Sequence, residues 1–391
     1  MGRQAANRTR RRRRYPVREL ACRYRNGIRY ALDSTTGGKC AQAPKSVQRV
    51  RVATDVTHPG QSTQDIAMNQ GLKILVAGAS PDSINNNSVL RGYVAKGFRE
   101  AGGVGSAHTC SLESAAHTLR TLKPDVVLIF GSCMPATSHY LDIKQAALDI
   151  DCCVAFWLHD DPYEFDYSRK IVPLADIVFS NDRWSTVHYA HANVHHLPLA
   201  ADVDAHFRPY HPRKERDLFF CGVGFPNRVQ LLRDCAPALN GLTVEVLGAD
   251  WPNDIPFASN TRVANAQLPD MHAASLATLN VGRRHDLANE RFKLDASTPG
   301  PRTFEAAASG TVQCMFIEGL EIDDYYSERL GEILLFDSPT ELRQHIEMLK
   351  DDPKRAETIA TAAQQRTLRE HTYRNRAETV LSILARTLSI R

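Results

Sequence analysis

Four short apolar runs recur through the first half of the chain, and each stops at glycine or at acidic and polar residues. They are LKILVAG from Leu72, PDVVLIFG from Pro124, CCVAFWLHDDP from Cys152 and LADIVFSND from Leu174. A continuous run of this length is the mark of a strand buried on both faces, as in a parallel sheet. The segments between them, Val89 to Ala101 and IKQAALDI, have helical apolar spacing. Parallel neighbours need long crossovers, so the alternation predicts βαβ units with helices on both sheet faces. A proline-rich stretch without periodicity, HFRPYHPRKER at 206–216, interrupts the series, and the pattern then restarts. DLFFCGVG, LTVEVLGAD, LATLNVG and EILLFDSP read as strands, with PNRVQLLRDCAPAL and DPKRAETIATAAQQRTLREH as helices. The expectation is an α/β chain of two doubly wound parallel-sheet domains, 71–205 and 217–372, joined by a linker at 206–216. Residues 373–391 form a last helix. Site residues belong in the loops after strand C-termini, and a small ligand in the cleft between the domains.

Charge divides the chain differently. Residues 1–70 hold fifteen Lys and Arg against four Asp and Glu, including five consecutive arginines from Arg10 to Arg14. The remaining 321 residues hold 33 basic against 40 acidic side chains. A basic tail of this kind could bind nucleic acid or anionic lipid, but the mildly acidic remainder does not favour nucleic acid as a partner of the folded core. No apolar segment follows the arginines as a secretory signal would require. Residues 1–70 therefore read as a disordered basic extension, and Met68, just before the first strand, reads as a natural start. No stretch of about 18 apolar residues occurs, so no membrane span is expected, although peripheral membrane contact is compatible with the sequence. Nine cysteines without a CxxC suit reduced thiols in a cytoplasmic protein.

The most informative single stretch is Thr298-Pro299-Gly300-Pro301-Arg302-Thr303-Phe304-Glu305-Ala306-Ala307-Ala308-Ser309-Gly310. Pro301 suits a first helical position, and Gly310 suits a left-handed residue just past the helix end. A helix N-terminus fed by a Gly/Pro loop presents free N–H groups and the positive end of a dipole, a place for an anion such as a diphosphate. Arg302 adds a guanidinium fork, and Glu305 one turn further can accept from a sugar hydroxyl. A second glycine loop, Gly222-Val223-Gly224-Phe225-Pro226-Asn227-Arg228, lies between strand and helix. It fails as a dinucleotide fingerprint because Asn227 occupies the third glycine position, but it serves as a diphosphate contact with Arg228 in the first helical turn. Arg283-Arg284 follow a third strand end and fit an anionic donor. No GxxxxGK[ST] loop is present.

On the other half, His159-Asp160-Asp161 close a strand where α/β sheets place reactive groups. His159 or Asp160 could orient or deprotonate an acceptor hydroxyl. His188, His191, His195 and His196 look like metal ligands, but they fall on a helix and a strand and need not converge. The adjacent aspartates lack a third ligand at recognisable spacing, so no metal and no cofactor are expected.

Taken together, FWLHDDPYEFDY, LPLAADVDAHFRP, DLFFCGVGFPNRVQLL, LATLNV and PRTFEAAASG resemble the GT-B glycosyltransferases. They are nearest to the spore-maturation-protein branch of the group 1, family 4-like, enzymes, over roughly residues 71–388. The resemblance implies two Rossmann-like domains facing a cleft. The C-terminal domain would bind a nucleotide-diphospho-sugar, the N-terminal domain an acceptor, and the last helix would cross back. It implies ribose binding by Glu305 and diphosphate binding through Gly222, Arg228 and Arg302, and Arg283 and Thr303 join the expected donor-site residues by their position. One departure is plain: the wider group carries a Glu eight residues before the ribose-binding one, and here Ser297 stands there, so neither a catalytic acid nor the stereochemical outcome carries over. Two rivals share the architecture, a nucleotide-sugar epimerase and a non-catalytic nucleotide-sugar-binding protein.

Overall fold

The structure, a computed structural model, describes residues 71–83, 88–132 and 138–388. The basic extension at 1–70 lies outside the described residues. Two six-stranded sheets organise the rest, and every pairing in both is parallel. Counting strands along the chain, the first sheet has the order 2-1-3-4-5-6 and the second the order 12-11-10-7-8-9. This is the two-domain α/β architecture the alternating runs predict.

In the first sheet, β1 (Leu72–Gly78), β3 (Val126–Gly131), β4 (Cys153–Leu158) and β5 (Ile177–Ser180) are the four apolar runs. β3, β4 and β5 are buried along their whole length. Side chains alternate between two cores, so each strand feeds both. Ile74, Val76, Leu128 and Trp157 face one, and Leu75, Ala77, Val127 and Phe156 face the other. The strand β2 (Val104–Cys110) is absent from the sequence reading for a physical reason. It is an edge strand with one fully buried residue in seven, so it carries no apolar run. The short β6 (Val194–His196) forms the other edge. The helix that the sequence places around His188 and His191 is a single turn, Arg183–Thr186, capped by Asp182.

The second sheet contains β7 (Arg216–Val223), β8 (Val244–Ala249), β9 (Ala258–Ser259), β10 (Ser275–Asn280), β11 (Val312–Phe316) and β12 (Leu334–Phe336). Its two faces are covered by helices including Pro339–Asp351 and Pro301–Ala308. The latter helix begins on Pro301 with Gly300 as N-cap, and Gly310 follows it at φ +66°, a left-handed backbone that favours glycine.

The sheets are tied together at several places, a helix and a loop among them. The helix Tyr373–Leu388 leaves the second half and buries Tyr373, Ala377, Val380, Ile383 and Leu384 in the first sheet's core, against the helix Ser88–Glu100. The loop after β10 also reaches across. Leu287 and Ala288 N–H groups donate to Tyr163 O at 2.9 Å, Glu290 N–H donates to Asp166 Oδ2 at 2.8 Å, and Phe292 packs on Phe165. Among the described residues no helix is long and apolar enough to cross a membrane.

Candidate functional site

A cavity of about 200 Å³ opens where the C-terminal ends of the two sheets meet. Its first-domain wall carries His159, Asp160 and Asp161 from the end of β4, Tyr163 just beyond, and Asn181 from the end of β5. Its second-domain wall carries Arg228, Arg283, Thr298 and the helix start Gly300-Pro301-Arg302-Thr303. Six of the eight residues singled out from sequence therefore meet at one place: His159, Asp160, Arg228, Arg283, Arg302 and Thr303. Gly222 and Glu305 sit behind the wall.

The cationic side is built in layers. Arg302 is about one-third exposed and pairs with Glu305 at 2.7 Å. Glu305 is 6% exposed, and its other oxygen lies 3.8 Å from His206 Nε2. No side chain caps the first turn of the Pro301–Ala308 helix, because the N-cap is Gly300. Arg228 is half-buried between the rings of Phe220 and Phe225, with its guanidinium 5.4 and 5.0 Å from their centroids. It donates to three strand-end carbonyls, Val223 and Val281 at 3.1 Å and Gly282 at 3.3 Å. Burial pulls its pKa down to about 10, so it stays charged at neutral pH. Arg228 thus staples the ends of β7 and β10 together while adding positive potential to the cavity. Gly222 makes room for it, since a Cβ there would stand 3.1 Å from the guanidinium and from the Phe220 ring. Arg283 donates through Nε to His285 O at 2.7 Å and lies over the Tyr163 ring at 4.4 Å. Arg284 turns away, is well exposed and stands 3.7 Å from Glu318.

The opposite wall is acidic and under-bonded. His159 is 6% exposed, and its Nε2 lies 3.2 Å from Asp160 Oδ2 without the alignment of a hydrogen bond, so neither ring nitrogen has a hydrogen-bond partner. Burial disfavours its imidazolium, but Asp160 and Glu164 outweigh burial and the net shift is upward. Burial also opposes the Asp160 carboxylate. His159, the hydroxyl of Ser132 and Arg283 overcome this and hold Asp160 ionised well below the usual range. Asn181 Oδ1 is a third buried atom on this wall without a partner. Buried polar atoms are rarely left unpaired, and where they line a cavity they mark ligand contacts.

Asp161 behaves differently. Its carboxyl is 2% exposed and accepts from Ser180 at 2.6 Å and from Tyr189 at 2.7 and 2.8 Å. Burial, with Asp182 nearby, pushes its pKa up to about 7 despite those bonds. An unfolded Asp titrates near 3.9. A carboxyl whose folded pKa is raised gives its full stability below the unfolded value and loses it as pH climbs through about 7. Asp161→Asn removes that loss. The stability of the variant relative to wild type should therefore improve between pH 5 and pH 8, read from urea midpoints. An offset that does not change with pH would show that Asp161 is ionised throughout.

Ser297, at the position where the wider resemblance has Glu, does not face the cavity. It is fully buried and bound to Asp182 of the first domain, whose Oδ2 accepts from Ser297 N–H at 2.6 Å, Ser297 Oγ at 2.9 Å and Thr298 N–H at 3.2 Å. Arg183 N–H and His196 Nε2 contact Thr298 Oγ1 at 3.3 and 3.0 Å, and Trp184 Nε1 donates to Glu321 at 3.1 Å. Asp295 is exposed and away from the cavity. The four histidines stay apart: His188 lies on Phe292, His191 on Ala175 O, His195 on Asn193 and His196 on Thr298. Among the described residues no three His, Cys, Asp or Glu side chains form a metal-like group. Asn181, Asp182, Tyr163 and Thr298 are absent from the sequence-derived site. Their only signal is position, just past β4 and β5 or just before the helix at Pro301.

Residues 228–382 match a family model described as glycosyl transferase-like. The spore protein CgeB of Bacillus subtilis (strain 168) is 27% identical over 114 residues, which cover 27% of this chain and 34% of that protein. The match thus spans about a third of the length of that curated relative. Among solved structures, Anabaena HepE in complex with UDP and glucose superposes with a TM-score of 0.55 at 13% identity, covering 80% of this chain and 99% of that one. AviGT4, a glycosyltransferase involved in avilamycin A biosynthesis, gives a TM-score of 0.55 at 16% identity, with 82% and 99% covered. The two superpositions establish the shared fold.

Proposed function

We propose that this chain, a GT-B protein whose residues 228–382 are glycosyl transferase-like, moves a sugar from a nucleotide-diphospho-sugar to an acceptor hydroxyl. One observation carries the reading: Arg228, Arg283 and Arg302 face His159 and Asp160 across a single cavity. Glycosyl transfer from such a donor breaks the bond between the anomeric carbon and the diphosphate, so negative charge grows on the departing oxygens. Fixed cations and helix N–H groups aimed at that charge lower the barrier without reorganising in the transition state. The three arginines and the helix start at Pro301 form such a wall, and no metal is part of this reading. Glu305 would take the ribose hydroxyls once Arg302 turns from it to the diphosphate. On the far wall, His159 is near enough to Asp160 to be oriented by it and has both nitrogens open, as a base for the attacking hydroxyl requires. The similar HepE holding UDP and glucose supports the ligand class.

The test is a calorimetric titration of the full chain with UDP, GDP, dTDP, ADP and CDP. One nucleotide should bind saturably, and Arg302→Ala and Glu305→Gln should each weaken it tenfold or more, about 1.4 kcal/mol. Folded protein that binds none of the five would remove the donor site. Binding unchanged in both variants would move it elsewhere.

A further inference from the structure

We infer that Arg283 is a positioning residue that links occupancy of the cationic wall to the grip of Asp160 on His159. The inference rests on the donor-site reading above and adds a route by which the two walls communicate. Arg283 belongs to the second domain, just past β10, yet its guanidinium lies against Tyr163 of the first domain at 4.4 Å and Phe225 of the second at 5.3 Å. Its Nε is tied to His285 O, so the stem is fixed while the outer nitrogens remain for other partners. One of them, Nη1, stands 3.7 Å from Asp160 Oδ1. The other oxygen of Asp160 accepts from Ser132 and lies beside His159. The carboxylate therefore divides its charge between a cation on one side and the imidazole on the other.

A contact of 3.7 Å through one nitrogen is a loose ion pair, weaker than the bidentate bonds a guanidinium makes with a diphosphate. A diphosphate entering between Arg302 and Arg283 would take the outer nitrogens of Arg283 from Asp160. Asp160 would then have lost its cation, and its attraction for a proton on His159 would grow. The charged groups facing His159 are Asp160 and Glu164, which favour the imidazolium, and Arg283, which opposes it. The neighbouring Phe130 ring carries no charge. Withdrawal of Arg283 and arrival of the anion act in the same direction, so His159 becomes a stronger base when the donor is in place and a weaker one when the site is empty. An acceptor reaching an empty site meets the weaker base.

The experiment follows the His159 ring proton by NMR against pH in the full chain, for wild type and Arg283→Gln. Each is examined free and saturated with the tightest-binding of the five nucleoside diphosphates. In wild type the midpoint should rise on nucleotide binding. In Arg283→Gln the free midpoint should already lie above that of free wild type, and the rise on binding should shrink. Arg283→Lys keeps the charge and should return the free midpoint towards wild type, which separates lost charge from lost packing on Tyr163. An equal rise in wild type and Arg283→Gln, or a free midpoint indifferent to that substitution, would overturn the inference. Calorimetry on the same samples distinguishes the two levels: heat of binding with an unmoved His159 sinks this inference alone. No heat from any nucleotide sinks the donor-site reading and this inference with it.

Discussion

Replacing His159 with alanine is expected to slow release of nucleoside diphosphate from the nucleotide sugar by about 10²–10⁴-fold, the usual contribution of a positioned base. Measured above the His159 midpoint, nucleotide affinity should stay within about twofold, because the arginines that would hold the diphosphate stand on the opposite wall and make no bond to the imidazole. The side chain is not needed to complete a hydrogen-bond network, as both its nitrogens are open, and it stacks only loosely on Phe130 at 5.7 Å between centroids. Stability should therefore change less than turnover. Steady-state kinetics with a nucleotide titration on the same protein decide the matter. If affinity falls as far as turnover, His159 is a binding residue and the base lies elsewhere.

The second large effect concerns the joint between the domains. Asp182 is 1% exposed and accepts five bonds: two from Ser185, two from Ser297 and one from Thr298. Alanine there leaves three backbone N–H groups buried without an acceptor, and each such orphan costs about 1–3 kcal/mol. A total loss of about 3 kcal/mol or more follows, with the segment before the Pro301 helix losing its anchor on the first domain. Trp184 sits beside this joint, exposed and bonded to Glu321, while Trp157 and Trp251 are buried, so the acrylamide-quenchable part of the tryptophan fluorescence reports the joint. In Asp182→Ala that signal should change at lower denaturant than the rest of the chain unfolds. A single transition at the wild-type midpoint would mean that the helix Tyr373–Leu388 and the loop after β10 hold the domains together without it.

How much of this was legible beforehand depends on the kind of information involved. Strands buried on both faces announce themselves, because a continuous apolar run has few other uses, so the first sheet is legible in β1, β3, β4 and β5 and the second in the restart of the same pattern after residue 216. The edge strand β2 did not, since half-wet residues such as Ser106, His108 and Thr109 do not pattern as core. The candidate site is legible as an address: His159, Asp160, Arg228, Arg283 and Arg302 stand at strand and helix ends in the sequence pattern, and one cavity collects all five. What each does there was less legible. Arg228 reads from sequence as a phosphate contact, yet three strand-end carbonyls that need donors occupy its guanidinium. Ser297 reads as a missing carboxylate, yet its hydroxyl and N–H meet Asp182, 115 residues away in the chain. Pairings of single polar atoms over such distances leave no periodic trace.

The helix Tyr373–Leu388 also sets a timetable for synthesis. The N-terminal sheet emerges from the ribosome first, but five residues of its core lie within the last twenty or so residues of the chain. Until those are made, the face of β1, β3 and β4 that carries Ile74, Leu128 and Trp157 is covered by the helix Ser88–Glu100 but lacks its second helix, and part of an apolar sheet face is exposed to whatever else is in the cell. The N-terminal domain is therefore born incomplete and waits through the making of the entire C-terminal one. A chain cut short just before Tyr373 lacks five residues of the first sheet's core, although it lacks no residue of the candidate site.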